Sequence, residues 1–254
     1  MSDQTSLGKG LRLLDVLSAA DGALGLTELS RRAAIPKSSA HRLLTSLVAS
    51  GLVIQDATGH YGLGLRLFEL GSRVAARLDV RAIARPLLEE LRDVTGETAH
   101  LGVLLDDEVV YLEKVESARM VRMSSRLGGR NPLHRTALGK CLLAFGSAGL
   151  RERVLAGPLT ARTPGAVVEP KRLVEQLARV RAQGWALDDE ESDEGLRCIA
   201  APVIDARAQV VAAVSISGPT TRVTKAQVQP LAAHVVRCAT EISRGVGGGT
   251  ATVA

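Results

Sequence analysis

The sequence predicts an α+β protein, with a small helical unit at the N-terminus and a larger unit of sheet and helices behind it. Two observations carry this. Residues 7–50 hold three short stretches of helical period, broken at Asp21-Gly22 and at Ile35-Pro36. From residue 98 onward, apolar runs of strand period dominate and helical stretches flank them, which is the α+β pattern. At 254 residues the chain has room for two modest domains with a core each.

The first helix is expected over 7–20, with Leu11, Leu14, Leu17 and Ser18 recurring at helical spacing. A second begins at Thr27 as N-cap and ends at Ile35-Pro36, because proline disfavours helix in the residue before it. The third starts at Pro36 or Lys37, carries the stripe Ala40, Leu43, Leu44, Leu47, Val48, and closes at Gly51. Residues 52–55 and 60–63 read as two strands around the turn Asp56-Ala57-Thr58-Gly59, a β-wing. A helix over 65–78 places Leu67, Leu70, Val74 and Leu78 along one seam, suited to a linker or a dimer contact.

Further along, a helix is expected over 81–94 and strands over 98–105, 109–114 and 120–124. Residues 128–132 read as a loop, and 137–145 and 148–156 as helices. Pro170 sits at the first position of a helix that stops at Gly184. Strands over 185–188, 197–205 and 210–217 precede a last helix capped by Thr224.

Composition narrows the function classes. Apolar residues at 46% and charged residues at 23% are ordinary for a soluble globular protein. A net charge of +5 permits a polyanionic partner without requiring one. One Trp, two Tyr and two Phe argue against single-stranded nucleic acid, which is bound by stacking bases on rings. Reading a duplex with a helix needs no aromatics. Three distant cysteines without a CxxC pair argue against a disulfide framework and a zinc finger. The N-terminus lacks a signal pattern, and no apolar run approaches bilayer-spanning length. A cytoplasmic location without a membrane partner is therefore expected.

Two short helices joined near residues 34–37 form a helix-turn-helix pattern, whose second helix enters the major groove by its N-terminal residues. Those residues are Lys37, Ser38, Ser39, His41 and Arg42. Serines and backbone N–H groups at a helix start suit phosphate, and Arg42 suits a guanine edge. Arg31 and Arg32 on the preceding helix suit phosphate, and His60 stands at the wing tip. The alternative is a plain trihelical core without DNA contact.

In the second unit three segments stand out. A helix start at Ala137-Leu138 exposes backbone N–H groups that attract a carboxylate or phosphate, or is an ordinary buried helix start. The acidic run 188–194 reads as a solvated loop, except that Asp188 ends a strand and points inward. Ser215 and Ser217 share one strand face, and Cys198 is a third small polar group; all three also suit an ordinary core. An enzyme using Cys198 with His100 or His134 as base lacks any local signature. A metal site on Asp188, Cys198 and a histidine lacks a ligand motif. Neither an enzyme nor a cofactor is expected.

The stretch GLTELSRRAAIPKSSAHRLLTSLVASGLV resembles the N-terminal domain of the IclR family of bacterial transcriptional regulators. DDEVVYLEKVES, SRLGGRNPLHRTALGKCLLA, GWALDDEESDEGLRCIAAPVID and VAAVSISGP follow in that family's order. The resemblance implies a winged helix-turn-helix over 1–64, a linker helix over 65–80, and a GAF-like effector and oligomerisation domain over 81–246; the Gly-rich tail over 247–254 is expected to be disordered. It implies dimers, often paired into tetramers, on a palindromic operator in double-stranded DNA, since two-fold symmetry matches two half-sites. It carries ligand contact onto Asp188, Cys198, Ser215 and Ser217 and onto the backbone near Ala137 and Leu138. The ligand class it implies is a small organic acid or carbon-source metabolite, with the regulator a repressor or an activator. The family often has glycine near Ala137, so the bulkier pair here is expected to alter the pocket.

Overall fold

A computed structural model describes residues 5–75, 79–119 and 125–248. The chain forms two compact units, Met1–Arg77 and Leu78–Ala254.

In the first unit, α1 (Ser6–Ala19) is capped by Thr5, whose hydroxyl accepts from the Gly8 N–H at 3.1 Å. Its buried residues are Gly10, Leu13 and Leu17, with Leu14 packed against the same core; of the expected stripe, Leu11, 53% exposed, and Ser18 fall outside it. The next helix, α2 (Leu26–Arg32), starts before the expected Thr27 cap, with Gly25 in the cap position. The reason is a bridge: Leu24 exchanges two backbone hydrogen bonds with Tyr61, which fixes the chain as extended up to Leu24. Ala34 turns the chain with φ of +51°, and the Ser30 hydroxyl donates to the Ile35 carbonyl at 2.6 Å. Then α3 (Lys37–Ala49) buries Ala40 and Leu44. Strands β1 (Val53–Gln55) and β2 (Tyr61–Leu63) pair antiparallel as the wing, each shorter by one residue than expected. Leu13, Leu17, Leu29, Ile35, Ala40, Leu44, Val53 and Tyr61 form one core. The unit continues into α4 (Leu65–Ala75), and the remainder of the expected 65–78 helix lies outside the described residues.

The second unit opens with α5 (Asp79–Thr95), two residues ahead of the expected start at 81. Strands β3 (Thr98–Leu105) and β4 (Glu108–Val115) are joined by Asp106 and Asp107, both at positive φ, as a two-residue type I′ hairpin requires. The expected strand over 120–124 lies outside the described residues. The expected loop at 128–132 instead contains β5 (Arg130–Pro132), paired with β4. Glycines on one side and Pro132 hide it, and proline is tolerated there because β5 is an edge strand. Then come α6 (Ala137–Phe145), α7 (Ala148–Ala156) and α8 (Pro170–Gln183). Strands β6 (Ala186–Asp189), β7 (Leu196–Ile204) and β8 (Val210–Pro219) follow. Thr224 caps a 3-10 turn, Lys225–Gln227, that leads into α9 (Val228–Gly245). The Gly248 N–H donates to the Ser243 carbonyl, and residues 249–254 of the expected tail lie outside the described residues.

The six-stranded antiparallel sheet runs β5-β4-β3-β8-β7-β6. Strand alternation divides its side chains between two cores. Leu101, Ile199, Val214 and Ile216 pack against α5 and α9 through Leu88 and Val235. Ala186, Ala200 and Ala213 pack on the other side with Cys141 and Leu142 of α6 and Leu173 and Leu177 of α8.

Candidate functional site

The register lines polar side chains up across the α6 side of the sheet. Asp188 lies opposite Cys198, Cys198 opposite Ser217, and Ser217 opposite Thr98. The row two residues along is Ala186, Ala200, Ser215 and His100. Small side chains here leave room beneath the start of α6. The result is a cavity of about 230 Å³ lined by Ala137, Leu138, Asp188, Cys198, Ser215 and Ser217, all six residues singled out in the sequence.

The start of α6 is built for close approach. Thr136 caps it, its hydroxyl accepting from the Gly139 N–H at 2.9 Å while its carbonyl accepts from Lys140. The N–H groups of Ala137 and Leu138 have no partner within the helix, and this end carries the positive pole of the helix dipole. Gly139 is obligatory: a Cβ there would lie 2.3 Å from the Leu133 carbonyl oxygen.

Asp188 is buried, and its Oδ1 accepts from the N–H groups of Glu191 at 2.8 Å and Ser192 at 3.2 Å. Burial outweighs these bonds and pushes its carboxyl up to about 6. Behind it the fully buried Lys140 donates to the Leu187 carbonyl at 2.9 Å and pairs with the Glu191 carboxylate. That pair fixes the segment after Asp188 against α6.

The chemistry of Cys198 is that of a neutral thiol. Burial raises it far above the usual thiol range, and the Ser217 hydroxyl donates to its sulfur at 3.0 Å. Burial pushes His100 down to about 3; its Nε2 lies 2.7 Å from the Ser125 hydroxyl. His134 bonds the Thr160 carbonyl. Neither histidine is set against Cys198. Among the described residues no group of three His, Cys, Asp or Glu is placed to hold a metal ion.

Sequence reasoning missed the opposite wall: Tyr111, Ser125, Arg126, Arg130, Asn131 and Arg162. Arg130 is paired with Asp106 and Glu108, and Arg162 with Asp193. Among the described residues Arg126 has no acidic partner within 4.0 Å, and Ser125 beside it is held by His100 and by the Lys114 ammonium. The Gly-rich run SRLGGR, with two arginines, was the available signal.

In the first unit, Lys37, Ser38, His41 and Arg42 are exposed on one end of α3, and Ser39 is half-buried. Pro36 occupies the cap position and no side chain caps this helix, so its first N–H groups stay open to an outside acceptor. Arg31 and Arg32 both bond Glu28, holding its carboxyl down at about 2. His60 is exposed on the wing, its Nδ1 2.8 Å from the Thr58 hydroxyl, and Asp56 Oδ1 accepts the Thr58 and His60 N–H groups.

Two family profiles match the chain: the IclR helix-turn-helix domain over residues 6–57, and the bacterial transcriptional regulator IclR C-terminal domain over 72–244. The transcriptional repressor IclR of Escherichia coli is 37% identical over 247 residues, 96% of this chain and 90% of that protein. The regulator KdgR of the same organism is 39% identical over 246 residues, 95% of this chain and 94% of that one. A crystal structure of an IclR homolog from Microbacterium hydrocarbonoxydans, complexed with 4-hydroxybenzoate, superposes with a TM-score of 0.86 at 30% identity, covering 95% and 99% of the two chains. The Thermotoga maritima IclR structure gives 0.79 at 32% identity, covering 95% and 98%.

Proposed function

Because the chain belongs to the IclR family of bacterial transcriptional regulators, DNA-binding proteins with an effector-binding C-terminal domain rather than enzymes, we propose that it represses a metabolic operon until a small organic acid fills the cavity under α6. The observation that carries this is the convergence of Asp188, Cys198, Ser215, Ser217 and the α6 start on one cavity. The N–H groups of Ala137 and Leu138 and the guanidinium of Arg126 receive the acid's carboxylate. Ser215 and Ser217 bond its second polar group, and Asp188 binds a hydroxyl on it. The cavity is smaller than the roughly 300–1,000 Å³ of sites for drug-sized molecules, which favours a metabolite of few atoms. The homolog crystallised with 4-hydroxybenzoate supports an acid.

The reading edge is the start of α3: Lys37, Ser38 and Ser39 on phosphate, His41 and Arg42 toward base edges. His60 serves the wing's contact with the backbone. Arg31 and Arg32 reach phosphate by exchanging Glu28 for it. Residues 1–64 are the DNA-binding domain, 65–80 the linker, and 81–246 the effector and oligomerisation domain. A homodimer, or a tetramer of two such pairs, reads a palindromic operator in the cytoplasm. Leu7, Leu65 and Phe68, each more than 70% exposed, are apolar surface that a second copy would cover. Among the described residues no helix is long and apolar enough to cross a membrane.

The test is a thermal-shift screen of small organic acids, followed by calorimetry of each hit on the wild type and on Ser217→Ala. A hit whose affinity falls about five-fold or more in the variant supports the site. Hits that bind the two proteins equally place the ligand elsewhere.

A further inference from the structure

Asp188 and the start of α6 line one cavity, so an acid held by the Ala137 and Leu138 N–H groups sits beside a buried carboxyl. The other charges around that cavity are matched. Lys140 of α6 is paired with Glu191 in the segment after β6. Arg162 is paired with Asp193, and Arg130 of β5 with Asp106 and Glu108. Tyr111 of β4 and Cys198 of β7 are neutral, because burial raises both. His100 of β3, against Ser125, is neutral because burial lowers it. Among the described residues this leaves Arg126 on the cavity wall to balance Asp188, one charge against one.

A bound carboxylate adds a second negative charge without a free cation to meet it. The cavity, of about 230 Å³, keeps the two charges close. Like charges within roughly 4–6 Å disfavour each other's ionised form. Asp188 is the group that yields. Burial already holds its carboxyl up at about 6, whereas helix N–H groups and a guanidinium keep the acid's carboxylate ionised. Asp188 Oδ1 accepts the Glu191 and Ser192 N–H groups, so an added proton falls on Oδ2.

Granted that the cavity under α6 is the acid's site, we propose that binding of the acid brings a proton onto Asp188 Oδ2, which then donates to the acid's second polar group. Acid and proton are bound together. Above pH 6 Asp188 is ionised in the empty cavity and protonated in the filled one, so affinity for the acid falls as pH rises. A dicarboxylate needs a second proton and is disfavoured, which makes Asp188 a selector for monocarboxylates.

The test is calorimetry of the full-length protein with glycolate, lactate, 3-hydroxybutyrate and 4-hydroxybenzoate at pH 7.5, in phosphate and in Tris. The two buffers differ widely in heat of ionisation, so the difference in binding heat gives the number of protons taken up. The wild type should take up about 0.5 to 1 proton per acid bound, and Asp188→Asn close to none. The wild-type Kd should weaken about three- to ten-fold from pH 7 to pH 8. An acid that Ser217→Ala weakens, but that binds without proton uptake or pH dependence, leaves the site standing and overturns the proposal. Uptake that persists in Asp188→Asn overturns it too. Binding indifferent to Ser217→Ala, or no binding by any of the four acids, overturns the assignment of the cavity and the proposal with it.

Discussion

Replacing Asp188 by Asn isolates the cost of burying that charge. The carboxyl titrates at about 6 rather than 3.8, because burial outweighs the two N–H bonds it accepts. A raised folded-state value means the fold favours the protonated form. The stability this gives is complete below about pH 4 and is lost as pH rises through 6. The rise from 3.8 to about 6 corresponds to about 3 kcal/mol against the fold at neutral pH, with about half already present at pH 5. Asparagine keeps an oxygen for the Glu191 and Ser192 N–H groups but adds an N–H pair, which takes back about 1–2 kcal/mol. The variant should therefore be more stable than the wild type at pH 7.5 by about 1–2 kcal/mol. The gap should shrink by a similar amount at pH 5. Urea unfolding followed by Trp185 emission measures this in the effector unit. A stability difference that does not change between pH 5 and 7.5 would mean that burial of the Asp188 charge does not oppose the fold.

Three further outcomes are expected. Gly139→Ala forces a Cβ to 2.3 Å from the Leu133 carbonyl and should destabilise the effector unit by about 1–3 kcal/mol, read in the same urea experiment. Lys37→Ala should weaken binding to all DNA sequences and lower the slope of log affinity against log salt by about one, measured by fluorescence anisotropy. Arg126→Ala should weaken a carboxylate effector about ten-fold or more in calorimetry while leaving operator affinity without ligand unchanged.

The helical periods, the proline break at Ile35-Pro36 and the strand alternation from 98 to 217 made most elements legible, because local rules set them. What tertiary contacts set was not. The start of α2 depends on the Leu24–Tyr61 bridge, and β5 exists only because β4 offers an edge to residues 130–132. The face of α1 turns on which leucines the wing and α3 cover, and Leu11 is not among them. In the cavity, Ser215 and Ser217 were legible as a same-face pair. Arg126 was not, because its place depends on Ser125 being held by His100 and Lys114, far away in sequence. The Lys140–Glu191 pair was also hidden: a lysine inside an apolar helix and a glutamate inside an acidic run each look solvated until the fold brings them together.

A ligand in the α6 cavity that governs DNA binding must change operator affinity. The most direct measurement is the affinity of the full-length protein for its own upstream DNA, with and without a saturating organic acid shown by calorimetry to occupy the cavity. Operator affinity should fall at least about five-fold, since a ligand shifts the equilibrium only through differential affinity for the two states. Saturation of the cavity with operator affinity unchanged would contradict it.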